Sequence, residues 1–391
     1  MSHPPDPIHI AHVIIGLGQG GAEMMLRRLI EAQMSLGASV RHSVISLTTL
    51  GVHGQPLRDA GIAVHALGLS NILGAPGALV RLLRLLRQLQ PDLVQTWMYH
   101  ADLLGGWAAH WLGLPVIWGI HSFDLRQGSS RSTRWVQRLC AWSSRRVPSR
   151  ILCVAESSKR LHAELGYDAA RITVIPNGFQ VDVPAVPAEV VLALRRSLGV
   201  ADHEVLIGCV GRFNPAKDHH NFVEAAARVA RLQPAARFLM VGSGLVEGNP
   251  ELDAWIDASG CAPSRFIRLG ERSDVPQLLA AMDIFCSSSR TEAFPLVVGE
   301  AMVMARAAVV TDVGDTAVLV GDAAVVVPPR DPQALADGLE SLLTAGSQTR
   351  VRLGQQARQR VIDQFSMARL IERTERVWAE VLDRTSPPDA V

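Results

Sequence analysis

Short apolar runs alternate with segments of helical periodicity along the first half of the chain. Runs that are apolar throughout are typical of strands buried on both faces, and their alternation with helices predicts a parallel sheet. The alternation ends at the turn segment Pro176–Gly178, so we expect one doubly wound domain over residues 1–180. Its predicted strands are 8–15, 40–47, 93–96, 115–119, 151–155 and 172–175.

The same alternation restarts after a segment rich in proline and valine at 181–187. That segment has neither polar alternation nor helix signals, which favours a linker, placed here at 181–200. A second domain of the same architecture is predicted for 201–365, and a final helix at 366–391 is predicted to pack back on the first domain. The later strands are predicted at 205–210, 238–241, 266–269, 284–287, 307–311 and 324–327.

Composition supports two globular cores and argues against several other classes of protein. Of 391 residues, 48% are hydrophobic and 19% charged, with a net charge of +1 that disfavours nucleic-acid binding. The five cysteines show no C-x-x-C spacing, which favours a reduced cytoplasm without zinc or disulfides. Neither an export signal nor a stretch of about 18 apolar residues is present, so we expect no membrane-spanning segment.

The segment Gly16–Glu23 follows the first predicted strand and opens a helix. Glycines there let backbone N–H groups approach an anion at the helix N-terminus. The spacing narrowly misses the dinucleotide fingerprint, and an ordinary glycine turn explains it equally well.

Arg212 and Lys217 lie at the corresponding place in the second half, after the strand predicted at 205–210. Two cations on one loop can clamp the two phosphates of a diphosphate, Arg through a bidentate fork and Lys as a mobile charge. The chain has only two lysines, Lys159 and Lys217. A solvated loop with chance charges is the alternative interpretation.

The segment 283–302 combines a strand, a serine-rich loop carrying Glu292, and a helix carrying Glu300. Pro295 is predicted to lie in the first helical turn. One carboxylate can hold sugar hydroxyls and the other a ribose, with N–H groups of the helix start on the phosphates between them. This arrangement predicts a site for a nucleotide sugar.

Three polar residues of the first half follow strand ends, where ligands bind in open α/β sheets. His121 comes directly after the strand at 115–119, and His100 and Asp102 follow the strand at 93–96. Each is a candidate for contact with a substrate hydroxyl. A structural histidine, and a helix cap at residues 100–102, are the alternatives.

The segment 126–150 is basic and also contains Trp135 and Trp142. Arg131, Arg134 and Arg138 share one helical face, which suits contact with anionic lipid headgroups. A solvated basic helix with its tryptophans in the core is equally compatible with the spacing.

Taken together, these segments resemble the retaining glycosyltransferases of family four, which have the GT-B fold. The resemblance runs over nearly the whole chain, and the GT-B fold consists of two Rossmann-like doubly wound domains facing a central cleft. It implies that Arg212 and Lys217 bind the donor diphosphate. The segments that carry the resemblance are Gly20–Glu23, Pro176–Gly178, Val210–His219, Glu292 with Glu300, and Thr311–Gly314.

The family also implies roles for the carboxylates and for the helix start. Glu292 is expected to contact the transferred sugar and Glu300 the ribose. Backbone N–H groups near Phe294, Pro295, Leu296 and Val297 are expected to meet hydroxyl and phosphate oxygens.

In the first domain, the resemblance places His121 beside the anomeric centre and Gly20 and Gly21 on the phosphate side. Retention in this family is attributed to front-face attack without a protein nucleophile. No D-x-D pair is present, so neither a metal nor a cofactor is expected. Residues considered for the acceptor are Glu23, His100, Asp102 and Asp124.

The function implied is transfer of a sugar from a nucleotide diphosphate to a glycan or a polyprenyl- or lipid-linked acceptor, in cell-surface polysaccharide or glycoconjugate synthesis. The location expected is the cytoplasm, with peripheral contact at the inner face of the membrane through 126–150. Two departures concern the donor: Ala293-Phe294-Pro295 replaces the commoner Gly-Phe-Gly, so that Pro295 removes one N–H, and Asp315 replaces a second glycine.

Other functions remain open from sequence alone. A hydrolysing epimerase or a phosphorylase shares this fold, and Lys159 and Lys217 are the only lysines able to bind pyridoxal phosphate. The interpretation as an NAD-dependent oxidoreductase is supported only by the glycine loop at 16–23, which misses the dinucleotide fingerprint. A non-catalytic partner subunit is disfavoured because Arg212, Lys217, Glu292 and Glu300 are all retained.

Overall fold

A computed structural model describes residues 7–37, 40–121 and 131–383 of the chain. The backbone contacts divide it into two compact units. Unit 1 is Met1–Gly178 with Met367–Val391, and unit 2 is Phe179–Ser366. Both units are built on parallel sheets with helices, which confirms the predicted pair of Rossmann-like domains.

Unit 1 contains a seven-stranded parallel sheet in the order β3-β2-β1-β4-β5-β6-β7. The order reverses between β1 and β4, which places the loops after these two strands at the switch point where open α/β sheets bind ligands. Its strands are β1 (Ile8–Ile14), β2 (Val40–Ser46), β3 (Ala63–Ala66), β4 (Leu93–Trp97), β5 (Val116–Ile120), β6 (Arg150–Cys153) and β7 (Ile172–Val174).

The helices of unit 1 alternate with these strands. The central strands β4 and β5 are buried along their whole length, because helices cover both faces of the sheet. The helices are α1 (Gly21–Ser35), α2 (Gly51–Asp59), α3 (Ala75–Leu89), α4 (Tyr99–Trp111), α5 (Arg131–Ser143) and α6 (Glu156–Glu164).

Unit 2 contains a six-stranded parallel sheet in the order β10-β9-β8-β11-β12-β13. The central strands β8 and β11 are neighbours, with Ile207 opposite Ile284 and Gly208 opposite Phe285. The loops that follow these two strands therefore meet at one edge of the sheet. The strands are β8 (Val205–Val210), β9 (Ala236–Val241), β10 (Phe266–Arg268), β11 (Ile284–Ser287), β12 (Ala307–Thr311) and β13 (Val325–Val327).

Eight helices complete unit 2. They are α7 (Ala188–Ser197), α8 (His219–Leu232), α9 (Pro250–Ser259), α10 (Val275–Ala281), α11 (Leu296–Val303), α12 (Thr316–Val320), α13 (Pro332–Thr344) and α14 (Gly346–Phe365).

The segment predicted as a linker, 181–200, contains a helix of unit 2. Arg195 of α7 donates from Nη1 to Oδ2 of Asp283 at 2.9 Å and to the carbonyl of Ala281 at 2.9 Å. Its Nη2 donates to the carbonyl of Glu204 at 2.7 Å. The helix has no fully buried side chain, and these polar contacts of one arginine connect it to the neighbouring segments of unit 2.

The last helix, α15 (Met367–Asp383), belongs to unit 1. Its apolar stripe is buried, and Trp378 donates from Nε1 to Oε1 of Gln95 on β4 at 2.7 Å. Glu375 accepts from Nε2 of Gln33 on α1 at 2.8 Å. The chain thus passes from unit 2 back to unit 1 between Ser366 and Met367. Among the helices of the described ranges, none combines the length and hydropathy needed to cross a membrane.

Candidate active site

Lys217 and Glu292 form an ion pair at the edge of the unit 2 sheet. Lys217 ends a 3₁₀ turn, Pro215–Lys217, that follows β8, and Glu292 lies in the loop between β11 and α11. Nζ of Lys217 is 2.5 Å from Oε1 of Glu292, and the two side chains are 28% and 14% exposed. The structure therefore brings together two of the predicted residues that are 75 positions apart in the chain.

Ser289 makes the second contact to the same carboxylate oxygen. Its Oγ donates to Oε1 of Glu292 at 2.7 Å. Oε1 thus has two donors, whereas Oε2 accepts no hydrogen bond from the part of the chain that the structure describes. A carboxylate has room for about four hydrogen bonds, so Glu292 keeps acceptor capacity for a ligand.

A second ion pair holds the backbone of Lys217. Asp218 adopts a left-handed conformation, with φ of 49°, which is costly for a residue other than glycine. Its side chain is 1% exposed, and Oδ1 accepts from Nη2 of Arg290 at 2.7 Å. Ser288 Oγ also donates to the Lys217 carbonyl at 2.9 Å. Sequence reasoning assigned no role to Asp218, Arg290 or Ser288, and the only signal was their place beside Lys217 and Glu292.

Gly314 fixes the backbone at Glu292. Its φ is +59°, and a Cβ at this position would collide with the carbonyl oxygens of Glu292 and Ala293. The N–H of Asp315 donates to the Ala293 carbonyl at 2.9 Å. The glycine is therefore required here for both conformation and space, and Asp315 closes the loop through its backbone.

Arg212 differs from Lys217 in that its side chain has no partner in the described parts of the chain. It is exposed on the loop after β8, and no described residue hydrogen-bonds or ion-pairs with its guanidinium. The loop itself is held by the N–H of Phe213, which donates to the Ser243 carbonyl at 2.7 Å. Arg212 therefore remains available to an anion in solution.

The start of α11 presents backbone donors near Glu292. Pro295 is the N-cap, with extended backbone, and not part of the first helical turn as predicted. Because it precedes the helix, the N–H groups of Leu296 and Val297 at the helix start are retained. Glu300 is half-buried and lies four residues after Leu296, on the same side of the helix.

Phe294 belongs to the core of unit 2. Its ring lies 6.3 Å from that of Phe179 and 5.3 Å from that of Phe365, and the residue is 4% exposed. Gly299 on α11 admits the Phe179 ring, since a Cβ there would collide with it. Only the backbone of Phe294 is therefore available to a ligand.

In unit 1, His121 lies just after β5 and stacks on Trp97. The ring centroids are 4.6 Å apart and the planes are 16° from parallel. Burial lowers the pKa of His121 to about 4, so the imidazole is neutral at pH 7 and can donate a hydrogen bond from one nitrogen.

A chain of buried rings lies behind His121. Nε1 of Trp97 donates to Nδ1 of His12 at 3.2 Å, so His12 carries its proton on Nε2. That nitrogen is 3.0 Å from Nδ1 of His42 and donates to it. Burial lowers the pKa of His42 to about 4, and it also lowers the pKa of His12 well below its ordinary value. Sequence reasoning assigned no role to either histidine, and both lie inside the strands β1 and β2.

Asp102 is not available to an acceptor, contrary to the candidate role given above. It is 0% exposed, and Oδ1 accepts from Oγ1 of Thr96 at 2.6 Å. Burial raises the pKa of its carboxyl to about 7. His100 is half-buried, and burial lowers its pKa. Asp124 lies outside the described residues.

Glu23 covers the glycine loop of unit 1. Gly20 is the N-cap of α1, and the Glu23 carboxylate folds so closely over it that a Cβ at residue 20 would collide with it. The carboxylate therefore lies at the positive end of the helix, where an anionic ligand would bind. A phosphate contact at Gly20 and Gly21 would require Glu23 to move.

The tryptophans of the basic segment are exposed and not in the core. Trp135, Leu139 and Trp142 are 63%, 47% and 64% exposed. They form a stripe on α5, and the Arg138 guanidinium lies 5.2 Å from the Trp135 ring centroid. Positions 131–150 of the predicted segment 126–150 are described by the structure, and 126–130 are not.

Sequence models of two families match successive parts of the chain. The model described as Glycosyltransferase Family 4 matches residues 19–183, and that described as Glycosyl transferases group 1 matches residues 204–345. The matches therefore cover parts of both units, including the loops that carry Lys217 and Glu292.

Two curated relatives have similar sequences. The UDP-Gal:alpha-D-GlcNAc-diphosphoundecaprenol alpha-1,3-galactosyltransferase of Escherichia coli is 28% identical over 62% of this chain and 63% of its own length. The alpha-D-kanosaminyltransferase of Streptomyces kanamyceticus is 26% identical over 82% of this chain and 89% of its own.

The fold is also shared with solved structures. The crystal structure of Anabaena Alr3699/HepE in complex with UDP superposes with a TM-score of 0.84, covering 95% of this chain and 100% of that one at 22% identity. The shared two-sheet architecture is the GT-B fold. The two domain matches, which together span residues 19–183 and 204–345, show that this chain belongs to the group 1 glycosyltransferases.

Proposed function

We propose that the protein transfers a sugar from a nucleoside diphosphate to a glycan or a lipid-linked acceptor, with retention of the anomeric configuration. The observation that carries the proposal is the pairing of Lys217 with Glu292, at 2.5 Å, beside the start of α11. A cation for phosphate and a carboxylate for sugar hydroxyls thus lie within one hydrogen bond of each other.

In the proposed reaction, the bond between the anomeric carbon and the diphosphate oxygen breaks as the acceptor oxygen bonds to that carbon from the same face. The acceptor proton passes to the departing phosphate oxygen, so charge and atoms balance. Lys217 and Arg212 stabilise the negative charge that grows on the diphosphate. The N–H groups of Leu296 and Val297 are proposed to meet donor oxygens.

Front-face displacement needs no protein nucleophile. We propose that Glu292 acts as a hydrogen-bond acceptor for sugar hydroxyls, with Oε1 held by Lys217 and Ser289 and Oε2 open to a ligand. The neutral His121 is proposed as a hydrogen-bond donor to the transferred sugar. We further propose that the reaction proceeds without a metal, so that excess EDTA leaves the rate unchanged.

The acceptor is proposed to be linked to a polyprenyl or other lipid carrier, in synthesis of a cell-surface glycan. The E. coli relative is named for a diphosphoundecaprenol acceptor, which supports this class. The hydrolysing epimerase remains the second candidate on this fold, although no observation at the site favours it. The reaction products decide between the two: a transferase forms a new glycosidic bond on the acceptor, whereas a hydrolysing epimerase releases a free sugar.

A panel of nucleoside diphosphates and their glucose conjugates tests the donor part. We expect one nucleotide among UDP, GDP, ADP and TDP, with its glucose conjugate, to raise the melting temperature of the protein. Replacing Glu300 with alanine should weaken binding of that nucleotide by about ten-fold, since one charge-assisted hydrogen bond is lost. Calorimetry measures the affinity, and unchanged binding would remove the ribose role of Glu300.

We propose that the exposed face of α5 docks on anionic membrane. The stripe of Trp135, Leu139 and Trp142 is suited to the boundary between headgroups and acyl chains, where amphipathic aromatic rings partition. Arginines flank the stripe and are attracted to anionic headgroups by about 1 kcal/mol each. Contact here would keep the enzyme at the inner face of the cytoplasmic membrane, near a lipid-linked acceptor.

Cosedimentation with phosphatidylglycerol vesicles tests the membrane contact. We expect replacement of Trp135 and Trp142 by serine, or of Arg131, Arg134 and Arg138 by glutamate, to lower partitioning by about ten-fold or more. Trp111→Ser is the matched control, because that tryptophan is 58% exposed but lies on α4. Equal sedimentation of all variants would reject the α5 face as the contact.

A further inference from the structure

We propose that Glu292 and the diphosphate of the donor compete for the ammonium of Lys217, so that the site holds a nucleotide sugar and rejects the nucleoside diphosphate left after transfer. This inference rests on the proposed function and adds a specificity device to it. Its basis is that the residue assigned to phosphate and the residue assigned to the sugar are each other's partners at 2.5 Å.

Lys217 can exchange partners only by moving its side chain. Its backbone is held by the Ser288 hydroxyl and by the buried Asp218, which is paired with Arg290. The aliphatic stem runs along Gly211, where a Cβ would be 3.4 Å from the Cγ, Cδ and Cε atoms. The anchored stem and the mobile tip leave one ammonium to serve either of two anions.

The backbone of Glu292 cannot follow Lys217 toward the phosphates. Its carbonyl is packed against Gly314, and the next residue accepts from the Asp315 N–H at 2.9 Å. When Lys217 turns to a diphosphate, the carboxylate keeps only the Ser289 hydroxyl, at 2.7 Å. Its side chain is 14% exposed, so the loss of the cation is incompletely compensated by water.

The hydroxyl groups of the transferred sugar replace the hydrogen bonds that Glu292 loses. Hydroxyl groups can donate to Oε2 and to the position that Lys217 leaves on Oε1, so the nucleotide sugar satisfies the carboxylate and the diphosphate together. A nucleoside diphosphate without sugar satisfies only the cation. After transfer, the ion pair between Glu292 and Lys217 therefore forms again, which favours dissociation of the nucleoside diphosphate.

Glu292→Gln tests the competition for Lys217, because the amide is similar in shape to the carboxylate but carries no charge to attract the ammonium. We expect the nucleoside diphosphate selected by the panel to bind this variant roughly two- to five-fold more tightly than the unsubstituted chain, the size of one partly exposed ion pair. Its glucose conjugate should lose most of its affinity advantage over the diphosphate. Product inhibition by the diphosphate should become stronger by a similar factor.

Ser289→Ala provides the opposite test. Without the serine hydroxyl, Glu292 depends more on Lys217, so the diphosphate alone should bind more weakly while the glucose conjugate is less affected. Arg212→Ala is the control, since this exposed arginine has no carboxylate partner among the described residues and its loss should weaken both ligands alike.

The outcomes distinguish this inference from the proposed function. If the unsubstituted chain binds no nucleotide of the panel, both are overturned. If it binds them but Glu292→Gln holds the bare diphosphate no more tightly, only the competition is overturned. The same conclusion follows if the glucose conjugate keeps its full advantage in that variant. Melting temperatures of the variants check that each is folded.

Discussion

Replacing Lys217 with alanine is expected to lower kcat by about 10²-fold, corresponding to roughly 2–4 kcal/mol of barrier. In the proposed reaction the ammonium neutralises negative charge that grows as the diphosphate departs. Donor affinity should change less than turnover if, as proposed, Arg212 and the start of α11 also bind the ground-state diphosphate. Steady-state kinetics with saturating donor measure kcat and KM separately.

Lys159→Ala is the matched control for this substitution. Lys159 is the only other lysine of the chain and lies on α6 of unit 1. Its loss should leave kcat unchanged, whereas Lys217→Arg should retain more turnover than Lys217→Ala because it keeps the charge. Turnover like that of the unsubstituted protein in Lys217→Ala would withdraw the assignment of Lys217 to the leaving group.

Unit 1 is expected to lose stability as the pH falls from about 6.5 to 4. Burial lowers the pKa of His42 to about 4 from its ordinary value of 6.5, and burial also holds the pKa of His12 well below its ordinary value. At these histidines the unfolded chain therefore binds more protons than the folded chain in this window. The buried carboxyl of Asp102 acts in the opposite direction, because burial raises its pKa to about 7 and it binds its proton in the folded chain, but it is one group against several buried histidines. His42 alone should remove about 3 kcal/mol of stability by pH 4.

Urea unfolding at several pH values measures this loss through tryptophan fluorescence. Seven of the eight tryptophans lie in unit 1, and Trp255 is the exception. His42→Gln should flatten the dependence of stability on pH, although it also breaks the hydrogen bond from His12. His110→Gln, which removes an exposed imidazole, is the control. If the stability of His42→Gln falls with pH as steeply as that of the unsubstituted protein, His42 is not the source of the pH dependence.

Much of the fold followed from local pattern. Apolar runs such as that of β4 mark strands covered on both faces, and such a run can be recognised from a few consecutive residues. The helix α7 was missed because it directly follows the proline-rich segment at 181–187, and contacts of Arg195 that anchor it are made with a distant part of the chain. Likewise, the exposure of Trp135 and Trp142 could not be inferred, since an apolar stripe has the same spacing whether it is covered or not.

The sequence by itself determined the alternation that makes two parallel sheets, and the residue types of Lys217 and Glu292 that suit a nucleotide sugar. Only the tertiary structure decided how these residues are paired. Lys217 meets Glu292, and Asp218 meets Arg290, because β8 and β11 are adjacent in the sheet although β9 and β10 separate them in the chain. Local periodicity carries no information on strand order, so contacts between distant loops are set by the fold as a whole.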